Sequence, residues 1–171
     1  LLGRTGHQRH AGQRYSVFRR IACLKMGAIL GGASEEDANL LYSFGEKLGL
    51  AFQLQDDLLD VYGDVKVFGK RIGGDIVCNK KTYMYINTCL LASDEERAIL
   101  AKWAQYEGDD VDAKIEAVKG VYDSVGIKGK AEAKIEELFN EAMSLLNKVS
   151  VLEEKKSVLR EYALSLMNRV L

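Results

Sequence analysis

Between Ser34 and Gly63 the apolar side chains return every three or four positions, and nothing interrupts them. Leu40, Leu41, Phe44, Leu48, Ala51, Phe52 and Leu59 fall along one side of a helix at that spacing. Ser34, followed by Glu36 and Asp37, supplies an N-terminal cap with acids in the first turn. Ser34 and Asp37 also have the spacing of a capping box, with Asp in place of the usual Glu. Proline breaks helix interiors, and none of the 171 residues is proline, although average usage is about 5%. A long helix here, inside a helical chain, is the expectation.

The remaining pattern agrees. From roughly Val17 a helix runs through Ile21, Leu24, Ile29 and Leu30 until Gly31 and Gly32 stop it. Tyr83 to Leu91 is apolar nearly all round, which predicts a helix packed on several sides. Ser93 with Glu95 and Glu96 caps a helix to about Tyr106. Gly108 to Asp110 opens another, to about Ser124. Asp109, Asp110 and Asp112 read as caps, with Lys114 and Lys119 close by. After a break around Gly126, residues 129–148 form an amphipathic helix, and a last one runs from about Val151 to Val170. No strand alternation competes, so the fold class is all-α, with about seven helices. Residues 1–20 are basic, weakly patterned and unlike the rest. His7 and His10 there have a helical metal-ligand spacing, but a pair in such a terminus is more often incidental.

The long helix carries Asp56, Asp57 and Asp60, a DDxxD array, near its C-terminal end. With Gln53 they stand at i, i+3, i+4 and i+7 and share one face. Like charges so placed cost about 0.2–0.5 kcal/mol per pair on a wet surface, and more when partly buried. A bare DDxxD is commonly a solvated patch. Here no Lys, Arg or His lies between Leu48 and Val65, so no basic residue is within helical reach. That absence points to a bound hard cation, Mg2+ or Mn2+. The Gly-rich segment that follows brings Lys66, Lys70 and Arg71. Asp75 is read as the cap of the next helix, with Lys80, Lys81 and Thr82 in its first turns. Lysines at a helix N-terminus oppose the dipole, which suggests an anion for them to meet. Carboxylate-held metal facing lysines is a means of gripping a diphosphate.

Other classes are poorly supported. The formal net charge of −1 gives no ground for bulk nucleic-acid binding. No apolar run is long enough to span a membrane, and no P-loop or dinucleotide fingerprint is present. Both histidines lie in the atypical terminus, so a Ser or Cys nucleophile lacks a base. Cys23, Cys78 and Cys89 are widely spaced and odd in number, as in a reduced intracellular protein. A cytoplasmic location is the expectation.

FQLQDDLLD at 52–60 resembles the second aspartate-rich motif of the trans-isoprenyl diphosphate synthases. GKRIGGD at 69–75 and NKKT at 79–82 resemble the segments that follow it, in the same order and spacing. The resemblance is strong from about Cys23 to Lys81 and looser, as helical pattern, beyond. It implies an isoprenoid-synthase-type helical bundle, a polyprenyl synthetase. Such enzymes use Mg2+ to join an allylic diphosphate to isopentenyl diphosphate, and they are usually homodimers. By resemblance Asp56, with Asp57 and Asp60, holds the metal. Lys70 and Lys80 contact the allylic diphosphate, and Phe52 and Gln53 line the cavity near the reacting carbons.

The sequence also departs from that family. The first DDxxD, its following Arg pair and the earlier isopentenyl diphosphate site are absent. A Lys-Thr pair expected near Tyr15 and Ser16 does not match. Residues 21–171 therefore resemble the C-terminal half of such an enzyme, an incomplete bundle, with 1–20 unrelated. Little activity is expected of this chain alone, and its uncovered apolar faces are expected to bind a second copy or a partner helical subunit. The alternatives are a non-catalytic homologue or partner subunit and, with a poorer match at Lys70 and Lys80, a terpene cyclase.

Overall fold

The computed structural model describes residues 22–64 and 72–167. The expected atypical segment 1–20, with His7 and His10, lies outside the described residues, as do Lys66, Lys70 and Arg71. No strand occurs among the described residues. Residues 22–30 form α1, followed by α2 (Glu35–Tyr62), α3 (Gly74–Val77), α4 (Tyr83–Leu91), α5 (Asp94–Ala104), α6 (Val111–Ser124), α7 (Ile127–Lys148) and α8 (Glu153–Met167).

Each end that the sequence signals has a physical cause. At the end of α1 the Gly32 N–H donates to Ile29 O and the Ala33 N–H to Ala28 O. Gly32 takes φ +77°, which completes a Schellman stop. The Ser34 hydroxyl accepts the Asp37 N–H at the start of α2. Ser93 and Glu96 form a full capping box on α5, and Asp110 caps α6 through the Ala113 N–H.

The described chain packs as two compact units, divided within α2 after Gln53 and within α7 before Ile135. The first unit joins α1, the early turns of α2, the later turns of α7, and α8. Phe44 and Leu48 of α2 meet Ala142 and Leu146 of α7 and Ala163 of α8, with Leu24, Leu41, Phe139 and Leu159 against them. The Asp37 carboxylate accepts both the backbone N–H and the hydroxyl of Ser150, 113 positions away. The expected capping box is thus half realised: Ser34 caps, while the Asp37 carboxylate serves Ser150. Lys156 closes the far end of α7. Its ammonium donates to the Asn147 and Val149 carbonyls and pairs with Glu153, meeting acceptors that a helix end leaves without partners.

In the second unit α6 packs against α3, α4 and α5. Ile115, Val118, Val121 and Tyr122 are its buried face, and Met84, Leu100, Ile127 and Ala131 are buried in the same unit. The late turns of α2 bury Leu58, Leu59 and Val61. Here α4 departs from expectation. It buries Met84 and Thr88 but leaves Ile86, Leu90 and Leu91 exposed, Leu90 at 73%. It is packed on one side, because helical spacing sends an all-apolar sequence to both faces whether or not both are covered.

Candidate functional site

The last turns of α2 are held from outside. The Tyr62 hydroxyl donates to Asp123 Oδ1 (2.7 Å). The ammoniums of Lys119 and Lys128 each lie 5.4 Å from the Tyr62 ring centroid, within range for cation–π attraction. Two residues back, the Gly73 N–H donates to the Asp60 carbonyl (2.6 Å). The Asp75 N–H, at the start of α3, donates to Asp60 Oδ2 (2.8 Å). The chain therefore returns through Gly73 and Gly74 onto the aspartate-bearing turn. Gly74 allows the approach, since a Cβ there would stand 3.3 Å from Asp60 Oδ1.

A counter-charge that the sequence left open comes from Lys80. Its Nζ donates to Asp57 Oδ1 (2.8 Å) and Asp75 Oδ2 (2.7 Å). The side chains of Lys80 and Asp57 are only 13% and 9% exposed, so both bonds are made largely out of water. Burial works to depress the Lys80 ammonium, but the two carboxylates more than offset it and hold its pKa above the ordinary lysine value. Burial pushes the Asp60 carboxyl up. The Asp75 N–H opposes that shift without cancelling it, so Asp60 lies above the ordinary carboxylate range.

This arrangement corrects two local expectations. Asp75 does not cap the next helix: α3 starts after Gly73, at φ +85° and with no side-chain cap, and Asp75 binds Lys80. Lys80 and Lys81 precede α4 instead of lying in its first turns. Thr82 is its cap, accepting the Tyr85 N–H. Of the two lysines, Lys80 turns to the acids, while Lys81 places its ammonium 4.1 Å from the Tyr85 ring centroid. Lys114 also differs. It is buried, and its ammonium donates to Asn79 Oδ1 and the Val77 carbonyl, not to the acids at 109–112. Desolvation lowers its pKa. These contacts steady the α3–α4 connection on which Lys80 stands.

The structure thus sets Lys80 between Asp57 and Asp75 and ties Asp60 to the Asp75 backbone. Asp56 is half-buried on α2 one turn before Asp60. Phe52 and Gln53 are half-buried on the same helix, in the part belonging to the first unit. Lys70 lies outside the described residues. Asp75 was not expected in this cluster, and its only sequence signal is an acid in a glycine-rich segment just before NKKT. A small cavity of about 10 Å³ borders it, between Asp75, Lys80, Tyr85, Leu100 and Tyr122, room for about one water and not for a hydrocarbon chain.

The donor chemistry suits a hard divalent cation of an open kind. Among the described residues no three carboxylate, imidazole or thiolate side chains gather as a ready metal cage. Magnesium needs no such cage: one or two carboxylates anchor it when water and phosphate oxygens complete the shell. Asp60, whose partners do not offset its burial, and Asp56 at i, i+4 have the donor type and spacing for that role.

Comparison with known proteins identifies relatives of this chain. A family model described as polyprenyl synthetase matches residues 17–121. A geranylgeranyl diphosphate synthase of Sulfolobus acidocaldarius is 40% identical over 81 residues, 47% of this chain and 24% of that protein. The farnesyl pyrophosphate synthase of Mus musculus is 34% identical over 136 residues, 80% of this chain and 37% of that one. Among solved structures, a geranylgeranyl pyrophosphate synthase superposes with a TM-score of 0.74 at 36% identity, covering 85% of this chain and 45% of that one. A Corynebacterium glutamicum geranylgeranyl pyrophosphate synthase, crystallised with isoprenyl diphosphate and magnesium, gives a TM-score of 0.73 at 27% identity, over 84% and 41%. The chain spans less than half the length of each of these relatives. No helix among the described residues is long and apolar enough to cross a membrane.

Proposed function

Because this chain belongs to the polyprenyl synthetase family, we propose that it serves Mg2+-dependent prenyl transfer, as the C-terminal part of a trans-isoprenyl diphosphate synthase. The reaction joins an allylic diphosphate to isopentenyl diphosphate. The allylic C–O bond breaks, a C–C bond forms to the isopentenyl double bond, and a proton leaves with the diphosphate as its acceptor. Asp56 and Asp60 hold the metal, with Asp57 and Asp75 beside them. Mg2+ held by these carboxylates would supply positive charge to offset that of the departing diphosphate. Lys70 and Lys80 meet the same group, and Phe52 and Gln53 face the hydrocarbon end. The apolar wall keeps water from the reacting carbon. A homodimer, or a pairing with a complementary helical subunit, in the cytoplasm completes the reading.

One observation carries this: the aspartate-bearing turn of α2, the glycine return at 73–74 and Lys80 converge in a fold matched by prenyl synthases. A second reading has its own support. Asp56 to Asp60 is the sole DDxxD in the sequence, which fits a non-catalytic homologue or the partner of an active subunit. A prenyl-transfer assay with Mg2+ and both substrates separates them. The chain alone should show little turnover. Co-expression with an N-terminal half that carries the other aspartate motif should restore it, and Asp60→Asn should abolish the restored activity. Restored turnover that ignores Asp60→Asn refutes the enzymatic reading; turnover by the chain alone, comparable to a full enzyme, refutes the partial one.

A further inference from the structure

We propose that Lys114 is a positioning residue for diphosphate binding: through Asn79 it fixes the turn that presents Lys80. The inference rests on the reading of Lys80 as a contact of the diphosphate, and it adds the residue that holds that contact in place.

Lys114 stands on the buried face of α6 with Ile115, Val118, Val121 and Tyr122, and it is 5% exposed. Taking an ammonium out of water is costly unless its donors are met, and burial does lower the Lys114 pKa. The acceptors it reaches are both neutral: Asn79 Oδ1 at 2.9 Å and the Val77 carbonyl at 3.3 Å. An apolar side chain would fill this face of α6 without that desolvation. The ammonium is explained by what it holds.

It holds the link from α3 to α4. Val77 is the last residue of α3. Asn79 takes a left-handed φ of +51°, the only positive φ outside glycine among the described residues, in a region where asparagine is enriched. Asn79 is exposed, so packing does little to keep it there. Its amide group does more: Oδ1 accepts from Lys114, and Nδ2 donates to the Ala104 carbonyl at the end of α5 (3.0 Å). The next residue is Lys80, whose N–H donates to the Asp75 carbonyl and whose carbonyl accepts the Thr82 N–H, both at 2.9 Å. The main chain at Lys80 is therefore set by the Asn79 turn, whichever group its ammonium meets. The small cavity bordered by Asn79, Lys80 and Ala104 gives the turn room to shift once the clamp is cut. A shift of about 1 Å is enough to deprive a positioned contact of much of its strength.

The test is calorimetric titration of the full chain with inorganic pyrophosphate at saturating Mg2+. Lys80→Met should weaken binding at least about tenfold, as loss of a charge-assisted contact does. Lys114→Met should weaken it at least about fivefold by freeing the turn. Asn79→Gly should do the same: glycine accepts the left-handed φ but cuts both amide bonds, so it reports even if Lys114→Met fails to fold. A merely structural lysine would add its loss to that of Lys80. A positioning one would not, so Lys80→Met with Lys114→Met should bind within about twofold of Lys80→Met alone. Binding of Mn2+ without pyrophosphate, followed by electron paramagnetic resonance, should stay within about twofold of wild type in Lys114→Met and Asn79→Gly, since the proposal gives neither a part in holding metal. Additive loss in the double variant, or Mn2+ binding lost in parallel with pyrophosphate, overturns the proposal. If Lys80→Met weakens pyrophosphate binding while Lys114→Met and Asn79→Gly do not, the positioning role alone fails. If Lys80→Met binds as wild type does, or no protein binds pyrophosphate, the diphosphate reading fails and this one with it.

Discussion

Gly73 bears two demands that no other residue type meets at once. Its φ of +85° disfavours any residue with a Cβ, and a Cβ there would lie 2.8 Å from Ile115 Cδ1. Its N–H is also the donor that ties the chain to the Asp60 carbonyl. Gly73→Ala should therefore cost about 1–3 kcal/mol of stability in urea unfolding, and it should weaken Mn2+ binding because the Asp60 turn loses its tie. Stability equal to wild type would mean that the return loop is not packed on Ile115 in solution. Lys80 teaches a related lesson about reading charge. The helix carrying the aspartates holds no basic residue nearby, and the sequence inference of a bound cation followed from that. Whatever ion the array holds, a side-chain cation 23 positions away also stands against Asp57, and helical spacing gives no sign of it.

Among the helices, α2 owes its position to its ends as much as to its apolar stripe. At its start Asp37 binds Ser150; at its finish Tyr62 binds Asp123. The hydroxyl and N–H of Ser150, with Ser34 and Lys156 adding smaller effects, outweigh desolvation and hold the Asp37 pKa below its ordinary value of 3.8. A carboxyl depressed on folding contributes stability above its unfolded pKa and loses it as pH falls through the folded one. Asp37→Asn should therefore destabilise the chain at neutral pH, and the gap from wild type should close below pH 3.8. Urea midpoints measured from neutral to acid pH check this. A gap that stays constant with pH would mean that the Asp37–Ser150 bond does not depend on the ionised carboxylate. The Lys156 closure of α7 is the same kind of device at the opposite helix pole, a cation facing carbonyls.

At the level of the molecule, the exposed apolar side chains bear on how the chain exists in solution. Ile86 and Leu90 stand one turn apart on α4, with Leu90 73% exposed, and Val158 and Tyr162 do the same on α8. Each unit thus presents an apolar strip of the kind that marks an interaction surface. Light scattering coupled to size exclusion should find the chain self-associated, and Ile86→Lys with Leu90→Lys should shift it toward monomer. A wild-type chain that elutes as a monomer would mean that these strips do not drive assembly.

The amino-acid order alone determined most of the helices, though not the short one at Gly74–Val77 or the start of the next at Tyr83, and with them the stops at Gly31–Gly32 and Gly126, the caps at Ser34, Ser93 and Asp110, and the shared face of Asp56 and Asp60. These are local: spacing, capping and backbone freedom act within a turn or two, so the residues that decide them are adjacent in the text. It also indicated the family, through three motifs in order. Only the tertiary structure decided who neutralises whom. Lys80 with Asp57 and Asp75, Lys114 with Asn79, and Asp37 with Ser150 join residues that periodicity cannot bring together. The one-sided burial of α4 belongs with them. Charge and apolar contact depend on distance in space, and the path between the helices sets that distance.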